Sequence, residues 1–130
     1  MAFDFQPLQR HQALAIVSWH YPAPYDIYNV EPEHRQADVD YLLHPQNSFF
    51  AILGADGGLE GYCSFGRDGQ VLGGDYSSPA LDICMGIRPD LTGQGNGHRY
   101  AQAVIRYGFQ HYGAKQLRVT IAAFNQRAQR

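Results

Sequence analysis

Five segments of the chain show the short apolar or alternating patterns that are typical of β-strands. The second and third segments flank the turn cluster Gly54–Gly58, and this arrangement predicts a β-hairpin. A polar, glycine-rich connection from Gly66 to Pro79 separates the hairpin from the fourth segment. The predicted strands are residues 3–5, 48–53, 59–65, 81–87 and about 116–123.

Three other segments carry apolar residues at helical spacing, at about residues 7–19, 32–43 and 98–112. Pro7 suits the first turn of a helix, where its missing N–H costs nothing. The third helix is amphipathic, and the residues predicted on its inward face are Ala101, Val104, Ile105, Gly108 and Tyr112. The pattern therefore predicts the order β-α-α-β-β-β-α-β, an α/β arrangement.

The composition narrows the class of protein. A chain of 130 residues suits one domain, and the net charge of −2 gives no basic footprint for nucleic acid or an anionic membrane. No window has the apolar length of a membrane span, and the N-terminus lacks the pattern of a secretory signal. Cys63 and Cys84 lie in strand-like segments, so we expect buried, reduced thiols in a cytoplasmic protein. No metal-binding spacing is present, so no metal site is predicted.

The most informative segment is the strand Leu81–Ile87 with the loop and helix that follow it. Glycines at 93, 95 and 97 let the backbone approach a ligand closely, and the helix start adds a partial positive charge. Strand, glycine loop and helix start together are typical of a phosphate-binding site. The same segment also suits an ordinary structural turn, because glycine-rich turns between strands and helices are common.

Two known phosphate loops fit poorly. A triphosphatase loop requires lysine after its last glycine, but His98 follows Gly97 and Lys115 is the only lysine. A dinucleotide-binding loop requires Gly-x-Gly-x-x-Gly and a later acidic residue, whereas this spacing is Gly-x-Gly-x-Gly. A nucleotide-binding domain is therefore a weaker hypothesis.

The segment resembles motif A of the GNAT superfamily, the Gcn5-related N-acetyltransferases. Ile87, Pro89, Gly95 and Gly97 match that motif, and Thr92 stands where the motif carries arginine or glutamine. Residues 117–125 end in Asn125 and resemble motif B of the same family, although an asparagine there also suits a helix N-cap. The resemblance implies a mostly antiparallel mixed sheet flanked by helices, in one domain over residues 1–130 that stops within the helix after Asn125.

The resemblance further implies an acetyl-CoA-dependent N-acetyltransferase that acts on a small-molecule or peptide amine, with a possible homodimer. An acyl-CoA-binding module without turnover is the alternative. The family tyrosine that protonates the leaving thiolate would lie beyond Arg130. The implied cofactor-binding residues are Met85, Gly86, Ile87, Thr92, Gly93, Gln94, Gly95, Asn96, Gly97, His98 and Asn125.

Asp82 is the candidate proton acceptor, because many GNAT strands carry a glutamate at this place before the loop. A solvated strand residue is the competing interpretation of Asp82. Tyr25 and Tyr28 lie in an aromatic, proline-rich segment between the first two helices, where the family places its substrate-facing loop. They are the candidate acceptor-binding residues, and packing within the loop is the alternative role.

Overall fold

A computed structural model describes residues 3–21, 29–66, 81–91, 97–113 and 116–119. Within these residues the element order is the predicted one. The strands are β1 (Asp4–Pro7), β2 (Phe49–Leu53), β3 (Leu59–Phe65), β4 (Leu81–Ile87) and β5 (Leu117–Val119). The helices are α1 (Arg10–Val17), α2 (Arg35–Leu43) and α3 (Gly97–Tyr112). Short 3₁₀ turns cover Pro32–His34, Pro45–Asn47 and Pro89–Leu91.

The strands form one sheet in the order β1-β2-β3-β4-β5. The first three pairings are antiparallel, and β4 pairs with β5 in parallel. A parallel pair needs a crossover connection, and α3 lies in that connection. This confirms the predicted mixed, mostly antiparallel sheet flanked by helices.

Each face of the sheet carries its own hydrophobic cluster. On one face, Tyr100 and Val104 of α3 pack with Phe50, Cys63 and Ile83 of the sheet. On the other face, residues of α1 and α2 pack against Phe49, with Tyr62 and Trp19 at the border. Odd-numbered β4 residues therefore face α3, and even-numbered ones face α1 and α2, because side chains alternate along a strand.

Two details of the predicted elements are wrong. Pro7 does not begin a helix but ends β1, where it lies opposite Phe50 on an outer strand of the described sheet that tolerates proline. Helix α1 begins only after Gln9, whose backbone N–H donates to Oε1 of Gln12 at 2.9 Å. On the predicted inward face of α3, Ile105 and Tyr112 are each 39% exposed, and the buried residues are Tyr100, Val104 and Gly108.

Both cysteines are free thiols, as predicted. Cys63 is fully buried and Cys84 is half-buried. Burial, with a smaller contribution from Cys84, raises the pKa of the Cys63 thiol, so Cys63 stays protonated as a core residue. Among the helices in the described part of the chain, none combines the length and apolar character needed to cross a bilayer.

Candidate active site

The hydrogen-bonding edge of β4 that faces β5 is the centre of the candidate site. The N–H of Arg88 donates to Glu60 at 2.9 Å and that of Gly66 donates to Asp82 at 2.7 Å, so even-numbered β4 residues bond to β3. The N–H of Leu81 donates to Gln116 at 3.0 Å on the opposite side. Successive residues of a strand direct their backbone N–H and C=O groups to opposite sides. The backbone groups of Met85 and Ile87 therefore point toward the β5 side.

Among the described residues, the pairing between β4 and β5 covers the first part of β4. Leu81, Asp82 and Ile83 pair with Leu117, Arg118 and Val119, where the described part of β5 ends. On the other side, β3 accompanies β4 as far as Ile87. Within the described residues, the outward backbone groups of Met85 and the N–H of Ile87 therefore form an edge that suits an extended, amide-containing ligand.

Tyr21 closes the end of this edge. Its hydroxyl donates a hydrogen bond to the backbone oxygen of Ile87 at 2.7 Å. The Asn29 side chain holds the backbone of Tyr21 on both sides, accepting from its N–H at 2.6 Å and donating to its C=O at 3.1 Å. These bonds hold together the two ends of the segment that links α1 to α2 and attach them to β4.

Aromatic side chains cover the face of β4 that carries the even-numbered residues. Gly86 lies opposite Tyr62 in the antiparallel pair of β3 and β4. A methyl group at Gly86 would lie 2.6 Å from the Tyr62 hydroxyl oxygen and closer still to the ring, so glycine is required for this packing. The ring of Trp19 lies 6.0 Å from that of Tyr62, between centroids. This face therefore offers aromatic surface beside the open edge.

Helix α3 begins at Gly97, close after the end of β4, and its first turn is fixed to β3. The Tyr100 hydroxyl donates to Oε1 of Glu60 at 2.8 Å, and Tyr100 is only 4% exposed. Burial first, and then the hydrogen bond and charge of Glu60, raise the pKa of Tyr100 to about 12. A Cβ atom at Gly97 would meet no atom of the described residues within 4 Å. The helix start is thus anchored and also has open space beside Gly97.

Asp82 lies at the closed end of the same strand. It is 4% exposed, and its two carboxylate oxygens accept hydrogen bonds from Nε and Nη2 of Arg118 at 2.5 and 3.0 Å. The paired strands β4 and β5 bring these side chains together, since Asp82 and Arg118 are register partners. The rise per residue of an extended strand places Asp82 and Ile87 roughly 16 Å apart along β4.

A profile of the family described as Acetyltransferase (GNAT) domain matches residues 3–130 of the chain. The chain belongs to the GNAT acetyltransferase family. A search of curated proteins finds no match.

Solved GNAT structures share the fold at low sequence identity. The structure of AAC(6')-Ib in complex with ribostamycin and coenzyme A superposes with a TM-score of 0.73, at 15% identity, over 98% of this chain and 78% of the other. A GNAT acetyltransferase from Bacillus anthracis gives 0.68, at 14% identity, over 97% and 74%. A chimera of the spermidine N-acetyltransferase SpeG from Vibrio cholerae and hSSAT gives 0.69, at 15% identity, over 98% and 75%.

The structure describes only part of the GNAT site that the sequence predicts. Met85, Gly86, Ile87, Gly97 and His98 lie near the open edge and the start of α3, and Asp82 lies at the other end of β4. The remaining predicted site residues lie outside the described ranges; they are Tyr25, Tyr28, Thr92, Gly93, Gln94, Gly95, Asn96 and Asn125. The predicted end of the chain within a helix also lies outside these ranges.

Sequence reasoning missed three residues that the GNAT fold brings to this site. Tyr21 and Asn29 fix the segment between α1 and α2, and Tyr62 covers Gly86. The alternating apolar pattern predicts the strand β3 that contains Tyr62, but it does not predict which residue of β4 the Tyr62 ring covers. No local signal identifies Tyr21, because its partner Ile87 is 66 residues away in the sequence.

Proposed function

We propose that this GNAT chain transfers an acetyl group from acetyl-CoA directly to an amine. The observation that supports the proposal is the backbone edge of Met85 and Ile87, which no described residue of β5 covers, beside the start of α3 at Gly97. An edge of this kind pairs with the amides of a pantetheine arm, and a helix start attracts phosphate. The related structures include a spermidine acetyltransferase chimera and an enzyme in complex with ribostamycin and coenzyme A, which supports an amine acceptor.

The residues fit the cofactor in three places. The outward backbone groups of Met85 and Ile87, with Gly86 between them, would lie along the arm. The backbone from Thr92 to His98 is proposed to receive the pyrophosphate, and Asn125 is proposed to contact the cofactor. The open space beside Gly97 leaves room for this contact. Acetyl-CoA supplies the acetyl group as a thioester, whose carbonyl carbon is open to attack by an amine.

The N–H of Ile87 would stabilise the oxygen of that carbonyl as negative charge develops on it. One preorganised donor of this kind contributes about 3 kcal/mol to lowering a barrier. Tyr21 holds the C=O of the same residue and so fixes the direction of this peptide edge. The amine attacks from the face of Tyr62, opposite the face on which α3 lies. The carbon–nitrogen bond forms, the carbon–sulfur bond breaks, and coenzyme A leaves as the thiolate.

Asp82 is the proposed acceptor of the amine proton, through water, and Arg118 is the proposed positioning residue. The pairing of both carboxylate oxygens with Arg118 fixes the orientation of Asp82. An amine beside Ile87 would lie roughly 16 Å from Asp82 along the strand, which is too far for direct proton transfer. Water molecules must therefore relay the proton to Asp82. Tyr25 and Tyr28 are proposed to contact the acceptor.

The test is an acetyl-transfer assay with a panel of amines and with acetyl-CoA that is labelled in its acetyl group. The acetylated amine itself is detected by mass spectrometry. We expect amine-dependent formation of the amide together with stoichiometric release of free thiol. Acetyl-CoA that binds but is not consumed with any amine would contradict transfer and favour the alternative of a binding module. Thiol release without amide would indicate hydrolysis instead, which also contradicts the proposal.

A further inference from the structure

A pocket of about 230 Å³ lies between α1, α2 and the sheet, on the face that carries Tyr62. Its walls include three aromatic side chains, those of Tyr41, Phe49 and Tyr62, together with aliphatic side chains such as Ile16 and Val30. It also includes one carboxylate among its described lining residues, that of Asp38. The pocket is separate from the open edge of β4 but shares the Tyr62 wall with the surface beside that edge.

The aromatic walls have the arrangement that favours an organic cation. The rings of Tyr41 and Phe49 meet edge to face with centroids 5.8 Å apart, and those of Phe49 and Tyr62 lie 6.1 Å apart. The negative face of an aromatic ring attracts an ammonium group, and this attraction grows when the group is desolvated. A pocket walled by several rings can therefore hold a cation together with the apolar carbons attached to it.

Asp38 adds a full negative charge to this pocket. Its side chain is half-buried, and it makes no hydrogen bond or ion pair with any residue in the described ranges. An acidic side chain in the first turn of α2 also interacts favourably with the helix dipole. The lining thus combines a free carboxylate with aromatic and aliphatic surface, which is complementary to an alkylammonium group.

We propose that this pocket anchors one ammonium group of an acceptor that carries at least two amino groups. The proposal rests on the proposed function and names its substrate class. An amine held beside Asp38 stays protonated, so its lone pair is not available for attack. The nitrogen that receives the acetyl group must therefore be a different nitrogen of the same molecule.

Tyr62 connects the pocket with the reacting edge. Its ring is a wall of the pocket and also covers Gly86, its register partner on β4. Neighbouring strands lie about 5 Å apart, so an acceptor that extends from the pocket to the edge of β4 needs an alkyl chain that crosses the Tyr62 ring. Trp19, whose ring lies 6.0 Å from that of Tyr62, borders this path.

The test compares two acceptors of equal length: diaminobutane with an amino group at each end, and the aminobutanol in which one of these groups is a hydroxyl. Each has an amine to acetylate, and only the first has a second cation. We expect kcat/KM for the diamine to exceed that for the amino alcohol about tenfold, which corresponds to about 1.4 kcal/mol. Asp38→Asn is expected to abolish this preference.

Asp40→Asn is the matched control, because it makes the same change in charge two residues away on α2. Asp40 is exposed, accepts a hydrogen bond from Gln36 and does not line the pocket. We expect this variant to keep the preference for the diamine. Equal kcat/KM for the two acceptors in the wild-type chain, or a preference that Asp38→Asn leaves unchanged, would overturn the inference while leaving acetyl transfer to the amino alcohol intact.

A second readout does not depend on turnover. Trp19 is the single tryptophan of the chain, so its fluorescence reports on ligands beside Tyr62. We expect diaminobutane to change this emission saturably, with an affinity that Asp38→Asn lowers about tenfold and Asp40→Asn does not. If no amine is acetylated, the proposed function fails, and the Asp38-dependent change in fluorescence still decides whether the pocket binds the diamine.

Discussion

The hydroxyl of Tyr21 donates a hydrogen bond to the backbone oxygen of Ile87 at 2.7 Å. This bond joins the segment that follows α1 to the last residue of β4. It engages the carbonyl of Ile87 and leaves the N–H of the same residue directed toward the β5 side. This contact therefore joins the segment on the proposed acceptor side to the proposed acetyl-binding edge.

Tyr21→Phe removes this hydrogen bond and keeps the ring. A hydrogen bond of this kind contributes about 1 kcal/mol, so we expect kcat/KM for the acceptor to fall about fivefold. We expect the dissociation constant of acetyl-CoA to change less, because the N–H of Ile87 is retained. Steady-state kinetics and calorimetry measure the two effects separately.

Tyr107→Phe is the control for that substitution, because Tyr107 stacks on Phe5 and packs against the sheet on the α3 face, away from the open edge. We expect it to leave the kinetics unchanged. Wild-type kinetics in a stable Tyr21→Phe variant would show that the contact with Ile87 does not position the site.

The elements of the fold were predictable where the signal is local. The bounds of β3 and β4 agree with the predictions, because apolar alternation and flanking turn residues mark both strands. Pro7 was assigned wrongly because proline suits both a helix start and an outer strand, and the pairing with Phe50 decides between them. Ile105 was assigned wrongly because the buried stripe of α3 depends on how the helix is rotated against the sheet.

The candidate site was predictable only where its residues lie together in the sequence. The glycine loop and β4 form one continuous motif, so Met85, Ile87 and Gly97 were identified from it. The aromatic face was not identified, because Tyr21 and Tyr62 reach β4 through tertiary and cross-strand contacts. The roles of Thr92, Gln94 and Asn125 stay predictions.

Removing one partner of the ion pair between Asp82 and Arg118 is expected to destabilise the fold. Arg118→Gln removes the ion pair with the nearly buried carboxylate of Asp82, and this costs about 3 kcal/mol or more. Urea unfolding measures the loss. Arg106→Gln is the control, since Arg106 is exposed on α3, and it should change the free energy of unfolding by less than about 0.5 kcal/mol.

The double variant Asp82→Asn with Arg118→Gln separates the structural role from the catalytic one. It replaces a buried ion pair by two neutral amides, so we expect it to recover most of the lost stability. A folded double variant then lacks the proposed proton acceptor, and we expect kcat to fall at least about 100-fold. A folded double variant with wild-type kcat and pH profile would show that Asp82 is structural only.

Stability is expected to fall at alkaline pH because of Tyr100. Its pKa rises from 10.0 to about 12 on folding, chiefly through burial. A raised pKa means that the folded state holds the proton more tightly than the unfolded state. The contribution is therefore complete below pH 10 and is lost as the pH rises toward about 12, by about 3 kcal/mol in total.

Urea unfolding at a series of pH values tests this dependence. Burial also raises the pKa of Tyr107 and Tyr112, so these residues act in the same direction. Tyr100→Phe removes one titrating group, and we expect a shallower loss of stability than in the wild-type chain. An equally steep loss in Tyr100→Phe would show that Tyr100 is not responsible.

We expect the start of α3 and the edge of β4 to bind acetyl-CoA. The most direct measurement is calorimetric titration of acetyl-CoA into the wild-type chain, Gly97→Glu and Gly97→Gln, with ATP and NAD as competing ligands. A Cβ atom at Gly97 meets no atom of the described residues within 4 Å, and an acidic residue suits a helix start, so we expect both variants to stay folded. We predict micromolar binding that is selective for acetyl-CoA, retained in Gly97→Gln and weakened at least about tenfold in Gly97→Glu by repulsion of the pyrophosphate. Equal affinity for ATP or NAD, or unchanged binding in Gly97→Glu, would contradict the account.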